Sequence, residues 1–165
     1  VGDTSVHEYP TSEQMAEIAI STARVVRLFG FDPKVAFVSH STFGQPLTSR
    51  TKHIRNAVDI LKEKKVDFEF DGDMQPDVAL NSEYQELYPF SKIVGKANIL
   101  IMPGQHSAAI SYKMMKTLGD TKVIGPLLIG LGLPIEIAPL RSSTSEIINL
   151  ASIAAYSADV INYKK

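Results

Sequence analysis

A chain of 165 residues, 44% hydrophobic and 21% charged, has room for one well-packed domain and the composition of an ordinary globular protein. Its 17 basic and 18 acidic residues leave a net charge of −1, which argues against a polybasic membrane anchor and against the global positive field that holds nucleic acid. There is no cysteine, so disulfides, thiolate zinc sites and cysteine nucleophiles are excluded, and a reducing cytoplasmic location is the expectation.

The opening Val1-Gly2-Asp3-Thr4 has no initiator Met and no basic-then-apolar leader, and reads as the cut end of a longer protein. Thr11 with Gln14 makes a capping box. Behind it Met15, Ile18, Ala19, Thr22, Val26 and Phe29 recur at helical spacing until Gly30 stops the helix. Lys34 to Ser39 is a short, nearly all-apolar run, the pattern of a buried parallel strand. After a polar loop from His40 to about Arg50, Thr51 to Lys65 reads as a second helix, with Ile54, Val58 and Leu61 on one face.

Asp67 to Phe70 predicts a short strand running into Asp71-Gly72-Asp73, and Pro76 to Leu80 one or two helical turns. The stretch from Asn81 to Val94 is polar and irregular. Asn98 to Met102 predicts a strand ended by Pro103-Gly104, and His106 to Leu118 a helix ended by Gly119. Lys122 to Leu131 and Ile135 to Ala138 are expected as two further strands; the most apolar run, Val123 to Leu133, is too short to cross a bilayer and is broken by Gly125, Pro126, Gly130 and Gly132. Ser143 with Glu146 opens a final helix through Ile147, Leu150, Ile153, Ala154 and Ile161, running on to Lys165. No internal repeat, low-complexity tract or flexible linker interrupts the series. Alternating strands and helices predict an α/β fold, a mainly parallel sheet with helices on both faces.

Ligands of open parallel sheets bind outside the carboxyl ends of the strands, and three loops hold that place. The first, Ser39-His40-Ser41-Thr42-Phe43-Gly44, extended by Thr48, Ser49 and Arg50, carries hydroxyls, a Gly, an Arg and a helix start, the ingredients of an anion site. The same residues also fit a surface loop whose hydroxyls satisfy backbone groups. The second, Asp71-Gly72-Asp73-Met74-Gln75-Pro76-Asp77, has three carboxylates but neither the glycine placement nor the terminal Glu of a calcium loop. Its expected role is to cap a helix and line a cleft, with no metal. In the third, Pro103 to Ser107, His106 is either catalytic or a capping, solvent-facing histidine. His7, His40, His53 and His106 show no metal spacing, and neither a serine-hydrolase elbow nor a nucleotide loop is present.

In order along the chain, Tyr9-Pro10-Thr11-Ser12-Glu13, the Ser39–Gly44 loop, the Asp71–Asp77 loop, Ala97 to Pro103, Ile110-Ser111-Tyr112-Lys113 and Ile124 to Gly130 resemble the phosphate acetyl/butyryltransferase family. The wording of the acidic loop and the His in the first loop look more like the C-terminal module of NADP-dependent malic enzymes than a free-standing transacetylase. The resemblance implies a phosphotransacetylase or isocitrate/isopropylmalate-dehydrogenase-like fold, with coenzyme A in a cleft between two subdomains. Residues 1–142 would be the inserted α/β subdomain, and residues 143–165 the returning helix of the other.

It also implies an acetyl-transfer site built on a Ser-Arg pair before the last helix and an Asp in that helix's first turn. Arg141 stands at the Arg position, but Leu140 replaces the Ser and Ile147 falls where the Asp belongs. The implied role is therefore a regulatory acetyl-CoA-binding and oligomerisation module with no catalytic residue of its own. Its ligand set would be Ser39, His40, Ser41, Thr42, Gly44, Arg50, Gln75, Asp77, Arg141 and Ser142. NADP, Mg or Mn, and malate would belong to N-terminal malic-enzyme domains in the parent protein, and the module would pair as a homodimer or higher oligomer. Competing expectations are an active phosphate acetyltransferase, making acetyl phosphate from acetyl-CoA and phosphate, and a purely structural dimerisation module. No nucleic-acid or membrane partner is expected.

Overall fold

The computed structural model describes residues 1–119 and 122–162, with side chains through Asp159. It separates into two compact units, Val1–Lys113 and Met114–Lys165. The division at residue 142 that the resemblance implies stays a proposal.

The first unit is built on a three-stranded parallel sheet, in the order β2-β1-β3, from β1 (Lys34–Val38), β2 (Glu69–Met74) and β3 (Ile99–Ile101). Helices α1 (Ser12–Leu28) and α2 (Ser49–Glu63) cover one face. Alternation along β1 sends Val35 and Phe37 to that side, where they join Ile99 and Ile101 of β3. Met15 of α1 and Ile54 and Leu61 of α2 complete the core, and Ala16, Ala19, Ala23 and Ala57 are the small side chains in the same cluster. Phe37 is fully buried, which contributes ~1.5–3 kcal/mol.

The opposite face carries Ala36, Met74, Ile93 and Ala97, with Val78 and Ala79 of the short helix α3 (Pro76–Leu80). After it comes a single turn, α4 (Ser82–Gln85), and an irregular segment that leads to β3. Helices α1 and α2 are both capped at their starts. Thr11 and Gln14 form the reciprocal box at α1, and Thr48 with Thr51 does the same at α2.

Three strand expectations need correction. The second strand does not end at Phe70 and give way to an acidic loop: β2 runs on to Met74, and Asp71 and Asp73 lie buried inside it. Pairing with β1 satisfies the backbone, and local donors satisfy the carboxylates. Asp71 accepts from the Lys92 N–H at 2.8 Å and from its neighbour Gly72 at 2.9 Å. The register slips by one residue opposite Phe37 and Val38, a bulge that puts Phe70 in one core cluster and Met74 in the other despite their even spacing. Gly72, at φ +153°, passes so close to Phe37 that a Cβ would sit 2.7 Å from its Cβ and its carbonyl oxygen.

In the second unit, Lys122–Leu131 and Ile135–Ala138 form no strand. Gly125, Pro126, Gly130, Gly132 and Pro134 remove donors and stiffness from the ladder such strands would need, and the Leu128 N–H donates to the Glu136 carboxylate at 3.1 Å instead. The second unit holds the end of α5 (Gln105–Leu118) and α6 (Thr144–Asn162). Ser143 and Glu146 make the expected capping box, since each backbone N–H donates to the other's side chain, at 2.8 and 3.3 Å. The continuation of this helix to Lys165 and the Ile161 side chain lie outside the description. Among the described residues no helix is long and apolar enough to cross a membrane.

Candidate functional site

Because β1 and β2 are parallel neighbours, the loops that leave their carboxyl ends meet. The first loop turns tightly: Phe43 and Gly44 both take positive φ, +51° and +79°. What shapes it is the fully buried Asp73. Its carboxylate accepts from the Ser41 hydroxyl, also fully buried, and from the Gly44 N–H at 3.0 Å. Its backbone carbonyl accepts from the Phe43 N–H at 2.6 Å. The Arg55 guanidinium stands 3.9 Å away and is half in solvent. A second tie runs from Gln75, whose backbone N–H donates to the Thr42 hydroxyl at 3.2 Å and whose side-chain amide donates to the His40 carbonyl at 3.0 Å.

Two groups that the sequence offers to an incoming anion, the Ser41 hydroxyl and the Gly44 amide, thus serve an internal anion. Ser39 is buried and accepts the Ser41 N–H at 3.3 Å. His40 and Arg50 are exposed, Arg50 already within the first turn of α2.

Between the two loops lies a groove of about 310 Å³. Thr42 and Gln45 line it from the first loop, and Gln75, Asp77 and Val78 from the start of α3. Tyr84, Leu87 and Tyr88 form the remaining wall. Tyr88 is backed by Phe43 and Phe90, the three ring centroids lying 4.8 to 6.1 Å apart in tilted or edge-on pairs. The groove contains one carboxylate, Asp77, and neither Lys nor Arg. Thr42, Gln75 and Asp77 of the expected set therefore come together in it. The aromatic wall went unpredicted, although Tyr84, Leu87 and Tyr88 at intervals of three and four carry a one-sided helical signal inside a stretch otherwise read as irregular. Asp73 was also passed over as a site-forming group.

The third loop stands apart from this groove. The Gln105 N–H donates to the His7 and Glu8 carbonyls, both at 3.3 Å, and His106 is exposed. Of the other histidines, His53 donates from Nε2 to the Pro10 carbonyl at 2.8 Å, and His7 pairs with Asp3 at 2.5 Å. Among the described residues no cluster of three or more His, Asp or Glu side chains is arranged to hold a metal ion.

In the second unit Arg141 and Leu140 occupy a turn closed by the Ser142 N–H on the Pro139 carbonyl at 2.9 Å. Arg141 is exposed, and so, fully, is Leu140 at 102%. Ile147 lies half exposed in the first turn of α6. Nearby, hydrogen bonds from the Ser143 N–H, the Lys116 ammonium and the Ser143 hydroxyl pull the Glu146 carboxyl down to about 2.

A family model described as phosphate acetyl/butaryl transferase matches residues 1–155. The chain is 49% identical over 158 residues to an NADP-dependent malic enzyme of Rhizobium meliloti, which covers 96% of this chain and 21% of that protein. It is 36% identical over 158 residues to a phosphate acetyltransferase of Clostridium acetobutylicum, covering 94% of this chain and 47% of that protein. Among solved structures, a phosphotransacetylase from Streptococcus pyogenes aligns with a TM-score of 0.90 at 35% identity, over 95% of this chain and 48% of that one. The chain therefore spans about a fifth of the malic enzyme and about half of the transferase.

Proposed function

The chain belongs to the phosphate acetyl/butaryl transferase family, and from that premise we propose that it is the acetyl-CoA-responsive C-terminal module of a cytoplasmic NADP-dependent malic enzyme. Acetyl-CoA acts as an effector rather than a substrate, and the module serves as an oligomerisation platform. Oxidative decarboxylation of malate, with its NADP and divalent metal, belongs to the N-terminal domains of the parent protein. The observation that carries this reading is the identity of 49% with a malic enzyme against 36% with a free-standing phosphate acetyltransferase.

The chemistry of the last turn supports the absence of acetyl transfer. Transfer from a thioester to phosphate wants a hydrogen-bonding group and a base beside the cation, and Leu140 and Ile147 supply neither. Arg141, exposed before α6, keeps a cation for a phosphate of the effector.

The experiment is to measure malate oxidation by the parent enzyme against acetyl-CoA, together with acetyl phosphate formation from acetyl-CoA and phosphate. The expected result is a change in malate oxidation and no acetyl phosphate. The Arg141→Ala variant should need more effector, by ~1.5–3 kcal/mol if the guanidinium meets a phosphate, with basal malate oxidation retained. Production of acetyl phosphate would instead make the module a transferase, and indifference to acetyl-CoA would leave it a structural dimerisation module.

A further inference from the structure

The two faces of the sheet are covered unequally. Helices of 17 and 15 residues lie on one, whereas the other has only α3 and α4, of five and four residues, and the irregular segment that leads to β3. From that thin layer Val78, Ala79 and Ile93 are buried in the core beneath it. Most of its other large apolar side chains are not: Leu80, Tyr84, Leu87, Phe90 and Val94 are 44 to 73% exposed. Apolar residues on a solvated surface stand singly, and a run of this density, with two aromatic rings in it, has the make-up of an interface. Tyr84 and Leu87 also wall the groove, but Leu80, Phe90 and Val94 do not line it, so the apolar surface extends past the groove.

The charge on this layer is one-sided. Between Lys65 and Lys92 the sequence has no basic residue, while Asp77, Glu83 and Glu86 are all exposed. Lys92 and Lys96 enter only at its far end, on either side of Val94. An anionic lipid surface or a nucleic acid is repelled by such a face. The same face of a second copy is a poor partner too, since a two-fold contact sets these three acids against themselves. What complements the layer is a protein surface that carries apolar side chains among Lys and Arg.

The identity of that surface rests on the parent-protein reading above. The match covers 21% of the Rhizobium meliloti malic enzyme, so most of a protein of that kind lies outside these 165 residues and is tethered to them. A tethered surface meets the layer at high effective concentration, and a contact too weak to hold two separate proteins together is then occupied. We propose that the α3–α4 layer is the docking surface for a cationic, apolar-studded face of the N-terminal malic-enzyme domains, with Glu83 and Glu86 facing Lys or Arg.

The test is photo-crosslinking in the full-length parent enzyme, in two variants, Leu87→p-benzoylphenylalanine and Val94→p-benzoylphenylalanine. Both side chains are exposed, and unchanged melting curves verify that the fold tolerates the probe. Links from either probe to residues of the N-terminal domains are expected. Adding Glu83→Lys with Glu86→Lys should cut their yield at least about fivefold, because like charges then face each other. Links confined to this module, in the same chain or a second copy, or no links at all, overturn the docking surface. A yield indifferent to the charge reversal overturns the cationic partner. The malate-oxidation assay keeps the two readings apart. Links that form in an enzyme indifferent to acetyl-CoA uphold the docking surface and overturn the effector reading, whereas a response to acetyl-CoA without links does the reverse.

Discussion

Replacing Asp73 should do more harm than replacing any of the groups that contact it. Its side chain is fully buried, and two donors converge on it, the Ser41 hydroxyl and the Gly44 N–H. In Asp73→Ala both donors stay buried and unpaired, and removing one member of such a buried charged cluster costs ~3–5 kcal/mol. Arg55 is left out of that figure, because 3.9 Å to a guanidinium half in solvent is a surface pair of little worth. Ser41→Ala removes one hydrogen bond to a carboxylate and leaves the other, a loss of ~1.5–3 kcal/mol. Once Asp73 is gone the hydroxyl has no acceptor there, so the second substitution in the double variant should cost under ~0.5 kcal/mol, a coupling of ~1–3 kcal/mol. Urea unfolding followed by circular dichroism measures all three, and for a chain of this size Asp73→Ala should lower Tm by roughly 6–20 °C. Additive losses, or an Asp73→Ala cost below ~1 kcal/mol, would refute the view that this carboxylate holds the loop.

Gly72→Ala places a methyl 2.7 Å from the Cβ and carbonyl oxygen of Phe37 at φ +153°, where neither neighbour can yield, so a loss above ~3 kcal/mol or failure to fold is expected, checked by the same unfolding curves. At Asp3, burial raises the carboxyl pKa, but donation from the Val6 N–H, the His7 ring and the Ser5 and His7 N–H groups outweighs it, leaving the pKa below its ordinary 3.8. A depressed acid pKa contributes stability above the unfolded value, and that contribution is lost as pH falls through the folded one. Protection of the Val6 and His7 amides, relative to their intrinsic exchange, should therefore hold steady down to about pH 4 and fall below it, whereas Asp3→Ala should show weak protection at every pH. Burial raises the Glu136 pKa against the opposing pull of the Leu128 N–H, so its charged form is disfavoured on folding. Glu136→Gln keeps an acceptor for that N–H and should stabilise the chain at pH 7 but not at pH 3.5, where the acid is already neutral; equal effects at both values in thermal melts would count against it.

Segments whose local chemistry decides their state were legible from residues alone. The capping boxes Thr11/Gln14 and Ser143/Glu146 formed because each closes over four residues, and the apolar run at Lys34 became the central strand because nothing polar in it needed solvent. Legibility stopped where a partner far along the chain supplied the answer. Asp71 and Asp73 look like a loop in sequence, and only donors 21 and 32 residues away, at Lys92 and Ser41, make them tolerable in a buried strand. The stretch from Lys122 to Ala138 erred the other way: its apolar content suggested strands, while its prolines, plainly visible, had already removed ladder donors and its glycines the stiffness a strand needs. In the site, Thr42, Gln75 and Asp77 of the expected set line one groove. Ser41 and Gly44 were named for an anion, and the structure pairs them with one belonging to the chain itself.

That internal pairing bears on the effector reading proposed above. A loop whose hydroxyl and amide are turned inward onto Asp73 is rigid before any ligand arrives, so little ordering entropy stands between the free and bound states. Rigidity also removes the loop's donors from the negative charge that develops in acyl transfer, where preorganised donors contribute most. The same geometry that shapes the groove therefore weakens this loop as a catalytic element.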